Sequence, residues 1–256
     1  LTGRLAEADS LYRATLAVAE AAGVTSAACD ALNGLGASYS RRRMVAESVV
    51  EYRRALARAE ELGDLRRQCA ILTNLAYDKT LLRRTDQARA HLRRALALAE
   101  DCDIQPILPR IQVVLGAIAD SEGDRLEAIA QFTKAYQGHV RVRDLGGELG
   151  SRQRLAYDLM VDGDYVAANR HYERCLEILE QRQSLVVLNW VLGGLALSNH
   201  KLGYLSEAER YYHRAYEVNL QLDDRASAAW CRERLGLICS LRGEYRKALV
   251  ELHEAR

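Results

Sequence analysis

Residues 195–215 read LALSNHKLGYLSEAERYYHRA, and the pattern of this stretch recurs along the whole chain. The stretch begins with a leucine followed by a small residue, and successive copies of that pair are 40 residues apart. The copies are Leu35-Gly36, Leu75-Ala76, Leu115-Gly116, Leu155-Ala156, Leu195-Ala196 and Leu235-Gly236. A constant spacing of this kind indicates a repeat protein, in which each repeat packs mainly on its neighbours.

A second set of residues follows each leucine pair and identifies the repeat as helical. In the quoted stretch these residues are Ala208, Tyr212 and Ala215, which are small, large and small. The spacing i, i+4, i+7 places them on one face of an α-helix. The leucine pair lies on an earlier helix, and turn-forming residues such as Gly203 separate the two helices. Each repeat is therefore predicted to be a helical hairpin, and hairpins with matching faces stack into a solenoid.

The composition and charge exclude several other classes of protein. Of the 256 residues, 49% are hydrophobic, which is typical of a folded chain. The 36 basic residues nearly balance the 35 acidic ones, which argues against direct nucleic-acid contact. Six cysteines lie far apart without a C-x-x-C pair, so we expect reduced, mostly buried thiols in a cytoplasmic protein.

The longest nearly apolar run argues against a membrane span. It covers residues 185–197, which is 13 residues, whereas a membrane span needs about 20. We therefore predict a buried helix there and no membrane contact. The chain also opens without the charged and apolar segments of a signal peptide.

The pattern L-G/A…A-x3-Y/F-x2-A resembles the tetratricopeptide repeat (TPR) family over essentially the whole chain. Matches to the family pattern in one hairpin are Leu32, Leu35, Gly36 and Tyr39 in the first helix, and Ser48, Tyr52 and Ala55 in the second. The period of 40 differs from the usual 34, and the proline that usually ends a repeat is absent. The lengthened hairpins resemble the MalT-like variety. The resemblance implies an all-α, right-handed superhelical solenoid of about six and a half hairpins.

The repeat limits define one array over residues 1–256. The units are near 1–24, 25–64, 65–104, 105–144, 145–184, 185–224 and 225–256. Because the first and last units are partial and no initiator methionine is present, we expect a segment of a longer chain; the alternative is a complete protein lacking its end helices. Pro106 and Pro109 predict a variant turn or, alternatively, a bend between two halves of the array.

No catalytic or cofactor motif is present in the sequence. The phosphate-binding loop, the dinucleotide-binding glycines, the H-E-x-x-H pair and the G-x-S-x-G turn are all missing. The histidines are scattered, at His91, His139, His171, His200, His213 and His253. A metal or acid–base site needs several converging groups. We therefore expect neither an enzyme nor a metal or cofactor site.

The TPR resemblance implies that the first helix of each hairpin lines a concave ligand groove. Its exposed positions give a polar zone that consists of Asn74, Tyr77, Arg110, Arg154 and Tyr157. Arg234 shares the repeat position of Arg154, and the guanidinium fork suits carboxylates. Some TPR domains clamp peptide carboxylates with lysine as well, which this zone lacks, so that clamp is not expected. The alternative is an ordinary solvated groove wall.

A second, apolar zone lies in the last two hairpins. Trp190 and Trp230 occupy the same repeat position in successive hairpins. Gly193, Gly194 and Leu197 lie beside them. Because each helical glycine costs about 1 kcal/mol relative to alanine, something should compensate for this pair. One interpretation is a pocket for a partner's apolar anchor, and the alternative is close helix packing with both indoles in the core.

These observations favour a protein- or peptide-binding repeat domain. The repeat variety and the partial end units lead us to expect the sensor or partner-binding region of a bacterial signalling or transcriptional regulator. The alternatives are a stand-alone scaffold or adaptor and a peptide-pheromone receptor. The expected partner is a protein or peptide in the groove, and self-association through apolar end faces is a further possibility.

Overall fold

The computed structural model describes residues 2–180 and 184–255, and within that part it is all-α. Leu1, residues 181–183 and Arg256, which include the outer limits of the predicted end units, lie outside the described residues. The helices are α1 (Thr2–Ala21), α2 (Thr25–Arg41), α3 (Val45–Glu61), α4 (Leu65–Leu81), α5 (Thr85–Asp101), α6 (Leu108–Glu122), α7 (Arg125–Arg141), α8 (Leu145–Asp162), α9 (Tyr165–Glu180), α10 (Leu185–Lys201), α11 (Leu205–Gln221), α12 (Arg225–Leu241) and α13 (Tyr245–Glu254).

The turns between helices share one backbone conformation, which recurs every 20 residues. In the described turns a residue with positive φ ends one helix, and the next helix begins two residues later. Glycine occupies six of these positions: Gly23, Gly63, Gly123, Gly163, Gly203 and Gly243. The remaining described ones are Arg43, Arg83, Asp103, Arg143 and Asp223. Glycine adopts this left-handed conformation without steric cost, which is why it is common at helix ends.

Small residues on the first helix of a hairpin allow the second helix to approach closely. A Cβ added at Gly36 would lie 2.6 Å from a Tyr52 ring carbon, and one at Gly116 would lie 2.7 Å from a Phe132 ring carbon. Both aromatic rings are almost fully buried. In these two hairpins the small residue of the leucine pair thus lies directly against an aromatic ring of the second helix.

The chain forms two compact units, Leu1–Arg143 and Asp144–Arg256. In the first unit, consecutive helices from α1 to α5 pack against one another, α4 and α5 also contact α6, and α6 packs on α7. In the second unit, α9 packs on α8 and α10, α11 on α10 and α12, and α13 on α12, while α8 also contacts α10. Each unit is a stack of antiparallel hairpins. The prediction of one array over residues 1–256 stays a prediction.

The proline segment lies inside the first unit. Gln105–Ile107 forms a short 3-10 helix, and Leu108 begins α6 directly after it. Pro109 packs against Gly138 of α7, where an added Cβ would lie 2.6 Å from a proline ring carbon. The segment is therefore a variant turn. The alternative, a bend between two halves of the array, stays a prediction.

The cysteines and apolar surfaces partly match expectation. All six thiols are free, and five of them are buried while Cys102 is exposed. No helix in the described part of the chain combines the length and apolar character that a membrane crossing requires. The apolar run on α10 is helical, but it is not the fully buried helix expected: Leu192 and Leu195 are buried, whereas Leu185, Val186 and Trp190 are exposed.

Candidate partner-binding pocket

The second unit contains an apolar hollow of about 300 Å³ between its helices, which we call the tryptophan pocket. Residues of α8, α10 and α12, the first helices of three hairpins, form most of its lining. Helices α9 and α11 supply the remainder. The lining residues are Tyr157, Met160, Tyr172, Asn189, Trp190, Gly193, Gly194, Leu197, Ala215, Asn219, Ser227, Trp230 and Cys231.

Aromatic side chains form the walls of the tryptophan pocket. Trp190 is 67% exposed and Tyr157 is 54% exposed, so both present large apolar surfaces to solvent. Trp230 is half-buried and is held from behind. The Tyr212 ring packs on it edge-on with centroids 5.6 Å apart, and the Arg234 guanidinium lies 5.4 Å from the indole centroid. The pocket therefore has one wall fixed by packing and two exposed aromatic side chains.

The two adjacent glycines in the pocket lining have different roles. A Cβ added at Gly194 would come within 3.0 Å of three ring carbons of the buried Tyr172, so Gly194 is required by helix packing. A Cβ added at Gly193 would meet no atom within 4 Å. Nothing in the fold requires glycine at position 193, and its absence of a side chain leaves the pocket open. Close helix packing therefore explains Gly194, whereas the pocket for a partner's anchor stays a prediction at Gly193.

Polar side chains are also among the residues that line the tryptophan pocket. Asn219 is only 1% exposed, and its amide has a weak contact with the Cys231 sulfur, at 3.6 Å from Nδ2. The other end of that amide, Oδ1, is buried and has no hydrogen-bond partner. The Ser227 hydroxyl donates to Asp224 Oδ2 at 2.8 Å. Burial raises the pKa of the Cys231 thiol to about 11, so this sulfur is a protonated, unreactive group at neutral pH.

Six of the predicted site residues line the tryptophan pocket. They are Tyr157, Trp190, Gly193, Gly194, Leu197 and Trp230. Arg234 lies outside the lining, over the Trp230 indole and 3.8 Å from Glu233 Oε1. Arg154 is half-buried and is also outside the lining. Tyr157, which the sequence places in the polar zone, thus belongs with the tryptophans.

The remaining polar-zone residues, Asn74, Tyr77 and Arg110, lie in the first unit. Arg110 donates to Asn74 Oδ1 at 2.9 Å, and Asn74 Nδ2 donates to Asn33 Oδ1 at 3.1 Å. These side chains therefore form a hydrogen-bonded row that connects α2, α4 and α6. These hydrogen bonds satisfy polar groups within the fold, and partner binding at these positions stays a prediction.

Several pocket residues were not predicted from the sequence, and among them Asn219 departs most clearly from the repeat. Comparison with residues 40, 80 or more positions away shows what the repeat normally has there. The residues equivalent to Asn219 are Ala19, Ala59, Ala99, His139 and Leu179. The three alanines are almost fully buried. Four of these five residues are apolar, so an amide at this position is a departure from most of the repeats that is readable from the sequence.

A second group of buried polar residues joins α8 to α9. Glu148, which is 4% exposed, accepts hydrogen bonds from Arg152 Nε at 2.8 Å and Arg174 Nε at 3.3 Å. An Arg152 guanidinium nitrogen lies 3.2 Å from His171 Nδ1. Burial first, and then the Arg152 charge, lower the pKa of His171 to about 4. His171 is therefore neutral near pH 7 and has a structural role in this cluster. Among the described residues, no group of three or more His, Cys, Asp or Glu side chains is arranged to hold a metal ion.

Comparison with known proteins identifies the fold. No protein-family model matches the chain, and no curated protein matches its sequence. BtubC (BKLC) from P. vanneervenii is similar in structure with a TM-score of 0.70 and 18% sequence identity, over 86% of this chain and 92% of that chain. PH0952 from Pyrococcus horikoshii, a Signal Transduction ATPase with Numerous Domains (STAND) protein with a tetratricopeptide repeat sensor, gives a TM-score of 0.73 at 14% identity, over 86% of this chain and 34% of that chain.

A third structure of the same fold is a Rap protein complexed with competence and sporulation factor. It gives a TM-score of 0.59 at 20% identity, over 85% of this chain and 65% of that chain. At these identities the similarity is one of fold. The chain therefore has the TPR-like fold that its repeat pattern predicts.

Proposed function

We propose that this chain is a protein- or peptide-binding repeat domain whose second unit holds an apolar anchor of the partner in the tryptophan pocket. The observation that carries the proposal is Gly193. A glycine inside a helix costs about 1 kcal/mol relative to alanine, and here no atom of the fold lies where an alanine methyl would go. The helical Gly150 also has no neighbour there, but it is exposed. Gly193 is half-buried and lines an apolar hollow, so the empty volume beside it is better explained by a ligand that fills it than by packing.

The exposed aromatic side chains support the same proposal. Trp190 and Tyr157 are both more than half exposed beside an apolar hollow. Tryptophan and tyrosine are the side chains most enriched among the residues that contribute most to protein–protein binding. A pocket of about 300 Å³ is at the lower end of the range for ligand pockets, which suits one side chain of a larger partner.

The wider context of the domain is proposed from its likeness to known proteins. PH0952 has a tetratricopeptide repeat sensor, and the Rap protein was crystallised in complex with competence and sporulation factor. We infer that the chain is the sensor or partner-binding region of a bacterial signalling regulator, built from MalT-like long repeats, cytoplasmic and without catalytic activity of its own. A peptide-pheromone receptor would use the same pocket, and the Rap complex favours it as the second candidate.

Selection of peptides on the purified protein tests the binding proposal. We expect a displayed library of random peptides to yield sequences that bind wild type and bind Trp190→Ala at least tenfold more weakly, because the main exposed wall of the pocket is removed. The matched control is Tyr245→Ala, since Tyr245 is an equally exposed aromatic residue of the second unit, at 68%, that does not line the pocket. Peptides that bind all three proteins equally would contradict the proposal.

The sensor context has its own test. Mass spectrometry and immunoblotting of extracts from the source cells give the size of the native polypeptide that carries this sequence. A polypeptide much larger than 256 residues, with a nucleotide-switch or DNA-binding domain beside the repeats, agrees with the regulator proposal. A polypeptide of about this length would favour a stand-alone adaptor.

A further inference from the structure

We infer that the tryptophan pocket recognises a tyrosine side chain of the partner, with the phenol hydroxyl pairing with the Asn219 amide. This inference rests on the proposed function, because it names the chemistry of the anchor that the pocket would hold. It makes Asn219 the residue that determines specificity, and Trp190 and Trp230 the residues that supply apolar contact.

The unpaired end of the Asn219 amide points to a ligand with a polar group. A buried polar group without a hydrogen bond is costly, and native structures rarely leave one. Asn219 lines the tryptophan pocket, is 1% exposed and has only the weak Cys231 contact on one end of its amide. A partner that brings a hydrogen-bonding group to the Asn219 amide removes this cost on binding, whereas a purely apolar anchor retains it.

The repeat itself shows that packing does not require this amide. At the equivalent positions Ala19, Ala59 and Ala99 the fold buries a methyl group, and at Leu179 it buries a larger apolar side chain that is 5% exposed. Each of these residues closes the space between a second helix and its neighbours without a polar atom. The fifth equivalent residue, His139, is a buried polar side chain, so the position accepts a polar group, but packing at the other four equivalents does without one.

A hydroxyl is the polar group that best fits an asparagine amide at this position. The two ends of the amide are a carbonyl acceptor and an NH₂ donor, and either end can face the ligand if the amide rotates by half a turn. A phenol hydroxyl both donates and accepts, so it pairs with either end. An indole N–H only donates, so it pairs with the carbonyl end alone. No charged side chain is among the described residues that line the pocket; the adjacent Asp224 and Arg234 side chains contact the lining residues Ser227 and Trp230.

The walls of the pocket select an aromatic body for the same anchor. Trp190, Trp230 and Tyr157 surround the hollow, and aromatic rings gain additional stabilisation from edge and offset contacts with one another. A serine or threonine would bring a hydroxyl but would leave most of a 300 Å³ hollow unfilled. Among the natural side chains, tyrosine combines a ring that fills the aromatic walls with a hydroxyl at its far end.

The experiment compares tyrosine with phenylalanine in peptides selected on the wild-type protein. Trp190 and Trp230 are the only two tryptophans in the chain, so tryptophan emission reports binding at this pocket directly. We expect selected peptides to share a tyrosine, and its replacement by phenylalanine to weaken binding to wild type about tenfold or more, because the amide then stays unpaired. In Asn219→Leu, which takes the residue of the equivalent position 179, we expect the two peptides to bind equally well. Thermal unfolding of this variant checks that the second unit remains folded.

The outcomes separate the inference from the proposed function. A tyrosine preference that disappears in Asn219→Leu supports the inference. Peptides that depend on Trp190 but carry phenylalanine, leucine or tryptophan as readily as tyrosine overturn the inference and leave the proposed function intact. The comparison of tyrosine and phenylalanine peptides on wild type needs no variant, so it decides the matter even if Asn219→Leu unfolds. If no selected peptide depends on Trp190, both proposals are wrong.

Discussion

Alanine at position 193 is expected to stabilise the second unit, whereas alanine at position 194 is expected to leave its stability unchanged or to lower it. At Gly193 an added methyl meets no atom within 4 Å, so the substitution gains only the better helix propensity of alanine. That gain is about 1 kcal/mol. It corresponds to a rise in the midpoint of thermal unfolding of about 2–4 °C for a protein of this size.

At Gly194 the same methyl would come within 3.0 Å of three Tyr172 ring carbons. Tyr172 is 3% exposed, so its ring has little room to move. Overpacking of this kind costs about 1–3 kcal/mol, which offsets the helix-propensity gain and leaves Gly194→Ala between neutral and about 2 kcal/mol less stable than wild type. The two variants should therefore differ by about 1–3 kcal/mol, although they are adjacent residues on one helix.

Tryptophan fluorescence during urea and thermal unfolding measures this difference where it arises, because both tryptophans lie in the second unit. Peptide affinity provides a second readout: Gly193→Ala should weaken binding while it stabilises the fold, since its methyl occupies part of the pocket. Two results would refute the reasoning. One is a loss of stability in Gly193→Ala, which would mean that this position is packed. The other is a gain in Gly194→Ala as large as in Gly193→Ala, which would mean that the Tyr172 contact is absent.

Two other predictions concern the scaffold. Because the His171 pKa is about 4 in the folded state and about 6.5 in the unfolded state, the unfolded chain binds this proton more tightly. The contribution of neutral, buried His171 to the free energy of unfolding is therefore complete above pH 6.5 and is lost as the pH falls towards 4. In urea titrations over that pH range, the free energy of unfolding of His171→Gln should fall by about 2 kcal/mol less than that of wild type. Equal losses would contradict the low pKa of His171. Gly203, at φ +81°, should lose about 1 kcal/mol of stability on replacement by alanine. The control Gly150→Ala, at an exposed helical site without neighbours, should gain about 1 kcal/mol, and similar effects at both sites would argue against the turn geometry.

The hairpins could be predicted from the sequence because their packing depends on residues that recur every 40 positions. The full turn geometry could not be predicted, since Arg43 and Arg83 adopt the left-handed conformation that their residue type does not favour. The side chain that Gly194 packs against could not be predicted from the sequence either. It is Tyr172, which belongs to the preceding hairpin, so the contact depends on how hairpins stack rather than on the pattern within one of them. The two tryptophans and their glycines, by contrast, were readable as departures from the repeat.

A repeat protein provides its own reference for deciding which residues serve folding and which serve another purpose. The residues equivalent to Trp190 and Trp230 in the earlier hairpins are Asp30, Ala70, Arg110 and Gly150. These differ widely, so the stack does not require an indole at that position. Those equivalent to Gly193 are Asn33, Thr73, Val113, Gln153 and Glu233, all of which have side chains. If stability alone determined position 193, alanine would be better by about 1 kcal/mol. The tryptophan pocket thus combines exposed indoles, a glycine and an unpaired amide at positions where the fold accepts simpler residues, and recognition of a partner accounts for all three departures together.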